Sequence, residues 1–260
     1  MRYYTYMGQD NRKINLKILN RDMLKYIALI LMAGGHMIIY IGVDHFVDTV
    51  PLWIIRLFVF GEMFAPPVFF FFISEGFRYT KSRRKYILRL AAVTLITQIP
   101  FYFCNFYGEP WWNILTTWSV MAALLAGLLV LAVWESGWKM PLRIIVMLAI
   151  TALTALMQAE WLVFGPVAIF LFYKTREKPV LRFILFEVLM LAFKIYSGGF
   201  AFELTWNNYG FFLAQTAAIV VITFFYNGKR GRFPTFSKWV FYVFYPLHLL
   251  AAFLIRTFCF

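Results

Sequence analysis

Three ionisable side chains sit inside apolar runs of this sequence. The stretch ALILMAGGHMIIYIG (28–42) carries His36 behind Gly34 and Gly35, and YVFYPLHLL (242–250) carries His248 shortly after Pro246. GEMFAPPVF (61–69) carries Glu62 ahead of Pro66-Pro67. Ionisable groups at bilayer depth are costly and usually functional. An imidazole there suits general acid–base work, drawing a proton from an amine or hydroxyl nucleophile. Its competing role is a hydrogen bond that holds two helices together. The glycines permit close approach of another helix or a ligand, and Pro246 frees a backbone carbonyl. Glu62 could orient or charge-pair with a histidine, because a pair with Arg56 on its own helix is poorly spaced.

A second constellation is basic. SEGFRYTKSRRKYILRL (74–90) sets Glu75 among Arg78, Lys81, Arg83, Arg84, Lys85 and Arg89, and YNGKRGRF (226–233) places Lys229 and Arg230 between glycines. This is more charge than helix orientation needs. It suits a phosphate-bearing ligand, with anionic lipid headgroups as the competing partner. Cys104 and Cys259 are the only cysteines. They supply neither a disulfide framework nor metal-ligand spacing, so no metal site is expected.

The elements that must position these groups are membrane helices. Of 260 residues, 62% are hydrophobic and only 14% charged, with a mean hydropathy of +0.72, well outside the range of soluble domains. Apolar runs long enough for helices cover 24–43, 52–74, 86–104, 113–134, 141–158, 161–173, 181–197, 208–226 and 239–258. The sixth is short and contains Gly165-Pro166, a composition compatible with a re-entrant segment. The net charge of +13 is distributed as a topology signal rather than as a nucleic-acid patch. With the N-terminus inside and nine spans, all of the 25 basic residues except Arg56, Lys194 and Arg256 fall on the cytoplasmic side. Arg2, Arg12 and Lys13 are among them, while the outer loops carry Asp44, Asp48, Glu109, Glu160 and Glu203. A re-entrant sixth segment would break this alternation, so it is counted as a span. The expected fold is therefore an all-α, polytopic membrane bundle of about nine helices. Residues 1–23 form a basic cytoplasmic segment and 24–260 a single transmembrane domain. Helical rise puts His36 roughly 18 Å, His248 roughly 14 Å and Glu62 roughly 15 Å from the ends of their spans, near the middle of the bilayer.

Several motifs resemble those of the TraX family, whose founding member is associated with N-terminal acetylation of conjugative pilin. They are LKYIALILMAGGH (24–36), FFFFISEGFRYT (69–80), KYILRL with TQIPF (85–101), NILTTW (113–118), YNGKRG (226–231) and FYVFYPLHLL (241–250), and they cover essentially the whole chain. The family pattern has Asp-His where this chain has Gly35-His36, and an Arg after the glycine where this chain has Glu62. Either the acid–base partner of His36 comes from another helix, or this member is altered in activity. A more distant likeness is to acyltransferase-3-type membrane enzymes, whose basic residue and histidine have the spacing of Lys25 and His36 and whose Arg-rich loop corresponds to Arg83, Arg84 and Arg89.

The resemblance implies a membrane acetyltransferase of the bacterial inner membrane with acetyl-CoA as donor. His36 would be the catalytic base or nucleophile, with Glu62 and His248 beside it. Lys25, Glu75, Arg83, Arg84, Arg89, Lys229 and Arg230 would line the donor side. Expected partners are acetyl-CoA, the bilayer and an acceptor protein or glycan, with self-association left open and nucleic acid excluded. A proton-coupled transporter or flippase using the same His and Glu, and a non-catalytic pilus assembly factor, are the competing readings.

Overall fold

The computed structural model describes residues 16–197 and 206–260. Arg2, Arg12, Lys13, Glu203 and most of the basic N-terminal segment lie outside the described residues. Within them all regular structure is helical, apart from single bridges between Leu19 and Tyr226 and between Trp118 and Ala159. The helices are α1 (Arg21–Ile41), α2 (Leu52–Gly61), α3 (Ala65–Tyr79), α4 (Arg83–Phe106), α5 (Asn113–Thr116), α6 (Val120–Trp134), α7 (Met140–Leu156), α8 (Phe164–Lys174), α9 (Pro179–Ser197), α10 (Trp206–Val220) and α11 (Pro234–Cys259). Four helical stretches are long and apolar enough to cross a membrane: Arg21–Ile41, Leu52–Tyr79, Arg83–Phe106 and Thr235–Cys259. Shorter apolar helices fill out the bundle at Val120–Trp134, Met140–Leu156, Phe164–Lys174 and Tyr209–Phe225. This is a helical membrane protein.

Side-chain contacts define two ends of the bundle. At the basic end, Arg78 donates to the Tyr173 carbonyl (3.1 Å), Lys174 lies over the Trp134 ring, and Leu19 pairs with Tyr226. At the opposite end, Trp118 meets Ala159, His45 stacks on Phe260, and Phe253 stacks on Phe103. Helix α8 starts beside Trp161 at the opposite end and finishes at Lys174 at the basic end. Its 11 residues rise only about 16 Å, short of a full membrane crossing. It begins immediately after a turn in which Gln158, Trp161 and Leu162 adopt positive φ, so the chain re-enters the protein tightly. Trp161 is drawn into the core against Phe70 and Phe193.

The breaks have local causes. Pro66 and Pro67 offer no N–H, so the ladder between α2 and α3 is interrupted by a 3₁₀ turn at Glu62–Phe64. The continuous helix expected over 113–134 is corrected to α5, an extended step and α6. The Gln98 side-chain amide donates to the Ile114 (2.8 Å) and Thr117 (2.6 Å) carbonyls, and the Glu160 carboxylate accepts from the Val120 N–H (2.7 Å). Side chains thus satisfy the backbone that a helix would otherwise have satisfied. Pro246, by contrast, is accommodated inside an unbroken α11.

Candidate active site

Helix α1, the 3₁₀ turn after α2, and α11 bring His36, Glu62 and His248 together. His36 Nδ1 lies 2.7 Å from His248 Nε2, and the two rings stack with centroids 5.0 Å apart. His36 Nε2 lies 4.0 Å from Glu62 Oε2. His248 Nδ1 sits 3.0 Å from the Phe244 carbonyl one turn back on α11. A carbonyl can only accept, so His248 Nδ1 carries the proton, and its Nε2 must accept when the ring is neutral. His36 then donates through Nδ1 and turns the lone pair of Nε2 toward Glu62. Carbonyl, imidazole, imidazole and carboxyl form one file, with His36 Nε2 as the basic atom. Glu62 Oε2 is fully enclosed and has no hydrogen-bond partner among the described residues. Arg56 is exposed and does not pair with it.

The glycine before His36 explains where the carboxylate comes from. A Cβ at Gly35 would lie 2.6 Å from Glu62 Oε2, 2.7 Å from Glu62 Cβ and 2.7 Å from the Phe58 carbonyl oxygen. Glu62 therefore fills the space that a side chain at position 35 would need. The carboxylate beside His36 comes from the 3₁₀ turn that follows α2.

A cavity of about 640 Å³ opens among α1, α3, α4, α6, α11 and the 226–230 loop. Its walls carry Arg21, Lys25, Arg89, Arg230 and Lys238 against a single carboxylate, Glu75. Residues Thr235, Lys238, Phe241, Tyr242 and Tyr245 lie along it on successive turns of α11, and Tyr245 packs edge-on against both imidazoles. The cavity thus runs from the basic end toward the histidine pair. Arg89 Nε is enclosed at this wall with no partner among the described residues, an orphaned donor of the kind an anionic ligand satisfies. The loop reaches the cavity because it is stitched to the start of α1: Leu19 N–H donates to the Phe225 carbonyl, Asn227 N–H to Leu19 and Arg21 N–H to Lys229, each at 2.9 Å. Gly228 turns this loop with φ +74°, a conformation side chains disfavour.

The expected basic residues divide. Lys25, Glu75, Arg89 and Arg230 line the cavity; Lys25 hovers over the Phe72 and Phe241 rings at 5.0 and 4.6 Å. Glu75 also faces Arg176 at 3.6 Å. Arg83, Arg84 and Lys229 are not on its walls, and Arg83 instead covers the Phe77 ring. Sequence reasoning missed Arg21, Lys238 and Tyr245. Arg21 and Lys238 sit at helix starts and read as orientation charges, although Lys238, Tyr242 and Tyr245 recur at the spacing of one helical face.

Glu160 is the acid that caps α6 from the opposite side. Burial pushes its carboxyl up to about 7, with the Val120 N–H opposing that shift. Among the described residues no cluster of three or more His, Cys, Asp or Glu could hold a metal ion.

No solved structure matches the chain. It is 28% identical over 239 residues to a probable fimbrial assembly protein, FimC of serogroup H1, from Dichelobacter nodosus, a match covering 87% of this chain and 91% of that protein. The TraX protein family matches residues 20–256, a range that holds both histidines, Glu62 and the whole cavity wall. The chain belongs to the TraX protein family.

Proposed function

We propose that this protein is an integral membrane acyltransferase that takes acetyl-CoA from the cytosol and acetylates an amine or hydroxyl, such as a pilin N-terminus or a surface glycan. The observation that carries this reading is a cation-lined cavity whose wall residue Tyr245 packs against a buried His–His–Glu file. Arg21, Arg89, Arg230 and Lys238 would hold the phosphates of the donor, with Lys25 further in. Lys25 and His36 are separated on α1 by roughly 16 Å of helix, a span for the flexible arm of CoA to bridge. The spacing resembles that of acyltransferase-3-type enzymes. Nine crossings with a cytoplasmic N-terminus, in a bacterial inner membrane, would turn the basic end toward the cytosol, as the positive-inside rule favours.

In the chemical step, the acceptor's lone pair attacks the thioester carbon while His36 Nε2 takes the acceptor's proton. The Phe244 carbonyl and His248 fix the ring and its tautomer. The Glu62 carboxyl, 4.0 Å from Nε2, stabilises the imidazolium that forms. Collapse breaks the carbon–sulfur bond, and the thiolate leaves with the proton that His36 returns. An assembly factor without catalysis is the second reading, favoured by the similarity to a probable fimbrial assembly protein.

The test is acetyl-CoA binding and turnover by the purified protein in detergent, with and without His36→Ala. Binding retained and turnover lost in the variant is the expected outcome. No binding by the wild type sinks the acyltransferase reading. Binding of acetyl-CoA with no turnover in the wild type favours the assembly factor.

A further inference from the structure

We propose that the Tyr245 hydroxyl donates the hydrogen bond that holds the thioester carbonyl and stabilises its oxygen as it becomes an oxyanion. The inference rests on the acyltransferase reading and adds a catalytic residue to it. Tyr245 is on α11, ten residues and roughly 15 Å beyond Thr235 along the cavity wall, and one helical turn before His248. Its ring lies edge-on to His248 (centroids 5.2 Å, 79°) and to His36 (6.4 Å, 82°). Tyr40 and Phe244 also pack on these imidazoles, but of the three rings only Tyr245 is on the cavity wall. It is therefore the residue shared by the donor cavity and the histidine file.

Tyr245 is only 5% exposed, and buried tyrosines normally bond their hydroxyl. The hydroxyls of Tyr26, Tyr40, Tyr102 and Tyr173 are bonded to Ser237, Asn105, the Glu109 carbonyl and Glu135 respectively. The Tyr245 hydroxyl makes no hydrogen bond among the described residues, yet its oxygen is not one of the fully enclosed orphan atoms. The cavity that Tyr245 lines can bring a ligand's carbonyl to it as a partner. A donor fixed by packing in a site shielded from bulk water is the arrangement that stabilises charge developing in a transition state.

The electron count is simple. A bond forms from the acceptor's nitrogen or oxygen to the carbonyl carbon, and the carbonyl π pair moves onto oxygen, which accepts from Tyr245 O–H. When the carbonyl reforms, the carbon–sulfur bond breaks and the thiolate takes the proton carried by His36. Tyr245 ends as it began.

Tyr245→Phe removes this hydroxyl and leaves the ring packed on both imidazoles. With purified protein in nanodiscs, acetyl-CoA as donor and glycinamide as acceptor, kcat is expected to fall by about 10²-fold. KM for acetyl-CoA is expected to stay within about threefold, because the lost contact strengthens only in the transition state. Affinity for free CoA, which has no acyl carbonyl, stays at the wild-type value. An unchanged kcat in the variant of an active wild type overturns the Tyr245 role alone. A loss of CoA affinity matching the loss of turnover makes Tyr245 a packing residue and overturns it too. A wild type without acetyl-CoA turnover overturns the acyltransferase reading and this inference with it.

Discussion

Gly35 is the position at which a single methyl group tests the packing behind the site. In Gly35→Ala the new Cβ would stand 2.6–2.7 Å from three atoms, one of which is the Phe58 backbone oxygen. A side chain alone cannot relieve that contact, because Phe58 is part of α2. Helices α1 and α2 must separate by several tenths of an ångström along a seam that also packs Gly61 against Leu31. Overpacking of this kind costs about 1–3 kcal/mol. In lipid no hydrophobic gain from the added methyl offsets it, since helix association there rests on close packing. For a chain of this size each kcal/mol lowers the melting temperature by about 2–4 °C, so a fall of about 2–12 °C is expected. Gly137→Ala, where a Cβ meets nothing within 4 Å, supplies the control. The assay is thermal unfolding of both variants in one detergent, followed by intrinsic tryptophan fluorescence. If Gly35→Ala melts within about 1 °C of Gly137→Ala and the wild type, the close approach of α2 to α1 is wrong. The account of how Glu62 reaches His36 falls with it.

Other perturbations probe the cavity and the opposite end. Arg21→Gln and Arg89→Gln each remove a cavity cation proposed to hold the donor's phosphates, so KM for acetyl-CoA should rise about 10-fold with kcat nearly constant, while Lys139→Gln on a distant loop changes neither. Glu160 gives a pH signature. Its folded-state pKa is raised from 4.5 to about 7, so the folded protein holds this proton more tightly than the unfolded chain does. That contribution is present below 4.5 and lost as pH rises through about 7. Melting temperature measured from pH 4.5 to 8 should therefore fall more steeply for the wild type than for Glu160→Gln, which keeps an acceptor for Val120 but cannot ionise; parallel curves would remove Glu160 from the account.

Much of the fold was legible because apolar length and proline position act locally. Each of the nine apolar runs contains helix, and the break at Glu62 follows from Pro66-Pro67, which no neighbour can repair. The split of the fourth run was hidden, because it depends on Gln98 and Glu160, remote in sequence, reaching the backbone at 114–120. The same division runs through the site. His36, His248 and Glu62 stood out as costly groups at similar depth, but depth along a helix says nothing of azimuth, and their meeting needed the packing of Gly35 against Glu62. Arg83 and Arg84 matched a basic loop yet lie off the cavity wall, whereas Arg21 and Lys238 looked like ordinary flanking charges and lie on it. Tyr245 was one aromatic residue among many. Only its unbonded hydroxyl beside two imidazoles separates it from the rest.

The central claim is that His36 and His248 work as one proton-handling unit. It is tested by the rate of CoA release from acetyl-CoA by His36→Ala, His248→Ala and the double variant, with folding verified by melting temperature. Groups that act together lose function together, so the double variant is expected to be no slower than His36→Ala, with His248→Ala close behind. Full activity in His248→Ala, or losses that multiply in the double variant, would contradict the account.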